Sequence, residues 1–212
     1  QILVAIKRQP MLSDACSREV IAFRSLPKHP NVLELLNVFQ SGEGSKQSLN
    51  LVFPFHDSAL WYVWLNARQH LKPEAARSYS RDMLQGLAHL HQNNVCHRDL
   101  VMTNLLLSYD QNRVQIGDLG ISGCASSRVI EKNVTSLMGR APEVLFTHKT
   151  AKEPLAMLAT PGISAGAVHA HECSAMDLWS AGTVIAAPEL VEIRLNWFLV
   201  LVLPSPSLAQ PT

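Results

Sequence analysis

Eight residues, His97-Arg98-Asp99-Leu100-Val101-Met102-Thr103-Asn104, constrain this chain more than any other stretch. They set an imidazole, a guanidinium, a carboxylate and an amide close together, and the apolar run Leu105-Leu106-Leu107 follows at once. Polar groups gathered beside a strand-like segment mark a loop that carries chemistry on a rigid support. A second acid stands on a turn downstream, in Ile116-Gly117-Asp118-Leu119-Gly120. One acid beside a hydroxyl-bearing substrate, with an amide and a second acid on a metal ion, is the layout phosphoryl transfer needs.

At 212 residues the chain is one domain or two small lobes, long enough to bury a sizeable core. With 47% hydrophobic and 17% charged residues it reads as globular rather than disordered. The net charge is +1 and the basic residues are scattered, which gives no electrostatic footprint for nucleic acid or an anionic membrane. Cys16, Cys96, Cys124 and Cys173 form no CxxC pair, so they read as reduced thiols of a cytoplasmic or nuclear protein. No signal-peptide pattern is present, and the late apolar run Trp197 to Leu203 falls far short of the ~20 residues of a membrane span. Gln1 stands inside a strand-like run, which suggests a fragment or an incomplete gene model.

Ile2 to Ile6 is apolar and β-branched, ends at Lys7, and reads as a buried strand. Ser13-Asp14 suits the start of a helix running to about Leu26, with Glu19 within it and Val20, Phe23 and either Ala22 or Leu26 on its apolar side. Lys28 to Phe39 reads as a turn leading into an alternating strand, and Ser41 to Ser48 as a loop. Leu49 to Phe55 is the next strand, which Pro54 ends or places at an edge. Ser58 to Leu71 and Pro73 to Gln92 read as helices, the second opened by proline and Glu74. Its stripe of Ala76, Tyr79, Met83, Leu84, Leu87 and Leu90 reads as core. Asp118 to Glu143 is polar and serine-rich. Asp177-Leu178-Trp179-Ser180 sets an acid in an apolar context, where it needs hydrogen bonds to be tolerated.

Taken in order, these stretches resemble the motif series of eukaryotic protein kinases. Val4-Ala5-Ile6-Lys7 is similar to the strand whose lysine holds nucleotide phosphates, and Glu19 to the helix glutamate paired with it. His29-Pro30-Asn31-Val32 is a common sequel to that helix, and Leu51-Val52-Phe53-Pro54-Phe55 resembles the hinge of cyclin-dependent kinases. His97 to Asn104 resembles the catalytic loop, and Asp118-Leu119-Gly120 the magnesium-binding motif. Arg140-Ala141-Pro142-Glu143-Val144-Leu145 resembles the form found in the group (CMGC) that holds cyclin-dependent and MAP kinases. Asp177 to Gly182 resembles the start of the buried helix of the kinase large lobe.

The resemblance implies an α+β, two-lobed fold: a small antiparallel β lobe with one helix and a mainly helical large lobe, incomplete at both ends. Residues 1–56 would be the small lobe and hinge, 57–187 the large lobe with an insertion at about 147–173, and 188–212 a divergent, disordered tail. It implies ATP and magnesium, and phosphorylation of protein serine or threonine, with a preference for proline after the target. Asp99 would take or orient the proton of the substrate hydroxyl, and Asn104 and Asp118 would hold magnesium. Lys7, set by Glu19, would clamp the phosphates. Ala5 and Leu106 would sandwich adenine, Phe53 would stand beside it as gatekeeper, and backbone groups of Phe55 and His56 would meet its edge. His97 and Leu119 would pack in a spine beneath the site, with Phe23 and Leu35 above. Arg98, joined by Arg18, would answer a charge on the segment after Asp118. The implied partners are a protein substrate and a cyclin-like or other regulatory protein, with neither nucleic acid nor membrane.

The chain also departs from that pattern. No glycine-rich loop precedes Lys7, and Val101 stands where the serine/threonine pattern has a lysine. Leu119 replaces a phenylalanine, and Glu131 aligns with the activating threonine, whose phosphate it would partly mimic against Arg98. These departures keep two other readings open: a pseudokinase or regulatory binding module, and an inactive truncated product. His169-Ala170-His171-Glu172-Cys173 suggests a metal site but has no second ligand pair.

Overall fold

The computed structural model of the chain describes residues 3–11, 14–67, 71–108, 112–124, 136, 139–141 and 165–187. Glu131, Glu143, most of the expected insertion and the tail lie outside these residues.

The first strand, β1 (Val4–Pro10), leads to the helix α1 (Asp14–Ser25), then β2 (Asn37–Ser41) and β3 (Ser48–Pro54). The strands form an antiparallel sheet in the order β1-β3-β2, with Lys7 opposite Leu51 and Leu51 opposite Val38. The expected burial of the first strand does not hold: Leu3, Val4 and Ile6 are 73%, 42% and 55% exposed. The reason is position, since β1 lies at the sheet edge and alternation turns Val4 and Ile6 away from the Lys7 and Gln9 face that meets α1. Pro54 does end its strand, but β3 is the central one, not an edge.

The alternating run from Val32 to Phe39 is also not one strand. Val32 makes an isolated parallel bridge to Ile116, Leu33 N–H donates to Ile116 O (2.9 Å), and Leu36 N–H donates to Val52 O (2.8 Å). The backbone therefore changes partners before β2 begins, and no continuous ladder forms.

The large lobe opens differently from the expected long helix. Ser58–Ala59 is a two-residue strand, β4, followed by α2 (Leu60–Asn66). Helix α3 (Pro73–Gln92) starts at its proline and buries Met83, Gly86, Leu87 and Leu90. Strand β5 (Val95–Cys96) pairs with β8 (Gly123–Cys124). A single 3-10 turn, Met102–Asn104, leads into β6 (Leu105–Ser108), which pairs with β4 and with β7 (Arg113–Ile116). The helix α4 spans Ala165–Ala186, so residues 165–173, expected within the insertion, have helical backbone continuous with Asp177. No described helix is long and apolar enough to cross a membrane.

One buried apolar cluster runs through both lobes, from Phe23, Leu51 and Phe53 to Leu87, Leu105 and Ile116. Phe23 and Phe53 meet edge to face at 5.2 Å, which joins α1 to β3. The cleft between the lobes opens beside this cluster.

Candidate active site

The cleft holds a cavity of about 360 Å³. Ala5, Phe53 and Leu106 supply apolar wall, Phe55 and His56 line its hinge side, and Lys7, Glu19, Asn104 and Asp118 bring polar groups to it. Apolar walls with a few convergent polar groups are the usual make-up of a small-molecule site. The residues expected to meet a nucleotide thus stand around one space.

Lys7 is the electrostatic centre. Its Nζ lies 2.9 Å from Glu19 Oε1 and 2.7 Å from Asp118 Oδ1. Glu19 is wholly buried, whereas Asp118 remains 48% exposed at its side chain. Burial works against the Lys7 ammonium, but hydrogen bonds and charge from Asp118 and Glu19 outweigh it and raise its pKa above the ordinary lysine value. Burial would likewise push the Asp118 carboxyl up. The Lys7 hydrogen bond and charge, the Gly120 N–H and nearby His97 instead hold it below the usual carboxylate value. Asp118 sits at φ +59°, a left-handed conformation, and its Oδ1 also accepts from Gly120 N–H at 3.2 Å.

The loop before β6 is built from below by Asp177. One carboxylate oxygen accepts from His97 N–H (2.8 Å) and His91 Nε2 (2.9 Å), and the other from Arg98 N–H (2.7 Å). Two consecutive amides are thereby held while Arg98 adopts φ +69°. His97 is buried, takes the Asp99 N–H on Nδ1 at 3.1 Å and donates from Nε2 to Gly117 O at 2.9 Å. That single ring fixes Asp99 relative to the turn that carries Asp118. Asn104 Nδ2 donates to Asp99 O at 2.9 Å and approaches Asp99 Oδ2 at 3.4 Å. The Ser136 N–H reaches Asp99 Oδ1 at 2.8 Å. The Arg98 side chain is only 5% exposed and lies flat against Gly123, where a Cβ would fall 2.2 Å from Cζ.

Gln9 and Ser136 do not emerge from the motifs. Gln9 Nε2 donates to Glu19 Oε2. Its signal was its place two residues after Lys7 on a strand, hence on the same face. Ser136 acts through its backbone, which no side-chain pattern reveals. Leu119 and His97 are fully buried and Phe23 nearly so, and Leu35 packs against the apolar cluster. Among the described residues no group of three His, Cys, Asp or Glu side chains could hold a metal ion by itself.

A small antiparallel lobe with one helix, a helical lobe below it, and a lysine bridging two acids in the cleft define a protein kinase domain. The family model for the protein kinase domain matches residues 3–192, and the chain belongs to that family. It is 30% identical over 161 residues to the serine/threonine-protein kinase KIN28 of Saccharomyces cerevisiae, covering 75% of this chain and 44% of that protein. It is 31% identical over 165 residues to the "Probable serine/threonine-protein kinase MRK1 homolog" of Encephalitozoon cuniculi, covering 74% and 43%. Against the "Probable serine/threonine-protein kinase glkA" of Dictyostelium discoideum it is 31% identical over 191 residues, covering 86% and 34%. The matched stretches thus span less than half the length of these relatives.

Proposed function

We propose that the chain is the core of an ATP-dependent protein serine/threonine kinase. The observation that carries this reading is Lys7 Nζ held between Glu19 and Asp118 at the polar end of an otherwise apolar cleft. Ala5, Leu106 and Phe53 would enclose the base, with the backbone at Phe55 and His56 along its edge. Lys7 would hold phosphate oxygens and Glu19 would hold Lys7. Asn104 and Asp118 offer hard oxygen donors, a set that suits magnesium completed by phosphate and water rather than by a protein cage. Bound there, the ion would neutralise charge on the phosphates. Asp99, next to Asn104, would orient the substrate hydroxyl and take its proton as the oxygen attacks. The protein's share of the catalysis is positioning and electrostatics. The likeness of Arg140-Ala141 to proline-accommodating kinases supports targets followed by proline. A cyclin-like or other regulatory partner is the corresponding proposal for control.

Val101 supports a second reading. It places an apolar side chain where related kinases bring a lysine to the transferring phosphate. A nucleotide-binding module without transfer would keep Lys7, Glu19 and Asp118 and lose rate alone.

Thermal unfolding with and without magnesium-ATP tests binding, with Asp118→Asn as the control. At 100 times its dissociation constant a ligand stabilises the folded state by about 2.7 kcal/mol. We expect an upward shift in Tm, abolished in Asp118→Asn. Transfer of labelled phosphate to serine or threonine peptides, with and without a following proline, then separates kinase from binding module. No shift in the wild type would overturn the ATP reading.

A further inference from the structure

We infer that Gln9 is a positioning residue for Lys7, acting through the second carboxylate oxygen of Glu19; the inference rests on the kinase reading. Strand alternation puts Lys7 and Gln9 on one face of β1, both toward α1. Glu19 Oε1 accepts from Lys7 Nζ at 2.9 Å, and Glu19 Oε2 accepts from Gln9 Nε2. The Glu19 side chain has no exposed surface, so its charge is tolerated only while its oxygens are hydrogen-bonded.

The two donors do different work. Lys7 is shared with Asp118 at 2.7 Å, and phosphate oxygens would compete for the same ammonium. A carboxylate tied through Lys7 alone would be free to turn whenever Lys7 leans toward that competitor. Gln9 removes that freedom. It fixes the carboxylate plane from the far side, so Oε1 stays aimed at Lys7. Being neutral, it adds no second cation to compete for the phosphates. Gln9 and Lys7 sit on the same strand, so the two-donor grip also fixes α1 against β1 at Glu19, where the link between the two elements is short.

The test uses the full chain as wild type, Gln9→Leu, Gln9→Met and Glu19→Gln. Dissociation constants for ATP and for adenosine come from ligand-dependent Tm shifts, and cooperative unfolding verifies each fold. In parallel, the rate at which an amine-reactive ester modifies Lys7 at one fixed pH is read by mass spectrometry, with exposed Lys28 as internal reference. The expected result is a loss of about ten-fold in ATP affinity for both Gln9 variants, with adenosine unchanged, as fits one lost hydrogen bond to a buried charge. The Lys7 modification rate should move several-fold in the direction set by Glu19→Gln, relative to Lys28. A purely structural role would weaken ATP and adenosine alike and leave the folded-state Lys7 rate unchanged, and that pattern overturns the inference. Should both Gln9 variants fail to fold, wild-type NMR decides: a slowly exchanging Gln9 side-chain N–H, lost in Glu19→Ala, upholds the contact, and a freely exchanging one overturns it. A wild type that binds no ATP removes the kinase reading, whereas the modification rates still judge the link from Gln9 to Lys7.

Discussion

The Asp177 carboxyl group has no exposed surface, and three donors converge on it. Asp177→Ala would leave the amides of His97 and Arg98 buried without acceptors. We expect a loss of about 3–5 kcal/mol in urea unfolding, the usual result of removing one partner of a buried charged cluster. The opposite change is informative at Val101. If the chain transfers phosphate, Val101→Lys should raise kcat about ten-fold or more, since a fixed positive charge near the transferring group is worth several kcal/mol. Equal rates for the two proteins in a steady-state assay would remove that account of Val101. At this scale the sequence is at its most readable. Lys7, Glu19, Asp99, Asn104 and Asp118 are polar residues set apart by type and order; Lys7, Glu19, Asn104 and Asp118 line one cavity, and Asp99 is tied to it through Asn104. The spacing of Gln9 from Lys7 did not single it out, because its role depends on which face of β1 meets α1, and the strand expected to be buried lies at the sheet edge.

Helix α3 shows how closely two elements can approach when one residue lacks a side chain. A Cβ on Gly86 would fall 2.5 Å from Asn31 O, a backbone atom that cannot move cheaply. Asn31 is itself tied down, its Nδ2 donating to Val114 O at 3.0 Å and its O accepting from Ile116 N–H at 2.9 Å. Gly86→Ala should therefore destabilise by about 1–3 kcal/mol, despite the better helix propensity of alanine, read by thermal or urea unfolding. The same junction carries two stacked imidazoles, His29 and His89, with ring centres 4.5 Å apart. His89 Nε2 meets Pro27 O at 2.9 Å, and His29 Nδ1 accepts from Asn31 N–H at 3.2 Å. Partial burial, then His89 and Arg113, depress the His29 pKa below 6.5. A base depressed in the folded state binds its proton more readily when unfolded. The stability linked to His29 should thus fall as pH drops below about 6.5, with His29→Gln flattening that part of the curve. Element types were legible where periodicity ran long, as in α3, whose first residue is the proline itself. Local pattern fails where the partners change: Val32 to Leu36 alternates like a strand but bonds first to β7 and then to β3, and Ser58–Ala59 pairs with β6 instead of opening a helix. Both are decisions of tertiary pairing that local pattern does not contain.

Over the whole molecule, the Lys7–Asp118 pair links β1 of the upper lobe to the turn after β7. Both side chains are over a third exposed, so the pair is screened by salt and modest in energy. Its pH dependence runs opposite at the two ends of the scale. Asp118, depressed in the folded state, contributes above the ordinary value of 3.8 and loses that contribution as pH falls through its own lower value. Lys7, raised in the folded state, contributes below 10.5 and loses it as pH rises through its own higher value. Asp118→Asn should accordingly remove part of the stability change at both extremes in pH-resolved unfolding.

The attachment of Asn31, Val32 and Leu33 to β7 also bears on how the cleft opens. These residues precede β2 in sequence, yet their backbone is bound to the lower lobe through Ile116, and Asn31 is held again at Val114. Phe55 and His56 are therefore not the only place where the lobes are joined. Helix α1 ends just before the Asn31 attachment, at Ser25, and Glu19 lies about 9 Å up the helix from Ser25 at the helical rise per residue. A tilt of α1 by roughly 10° about Ser25 would carry Glu19 about 1.6 Å, enough to break its contact with Lys7, while residues at the base of the helix scarcely moved.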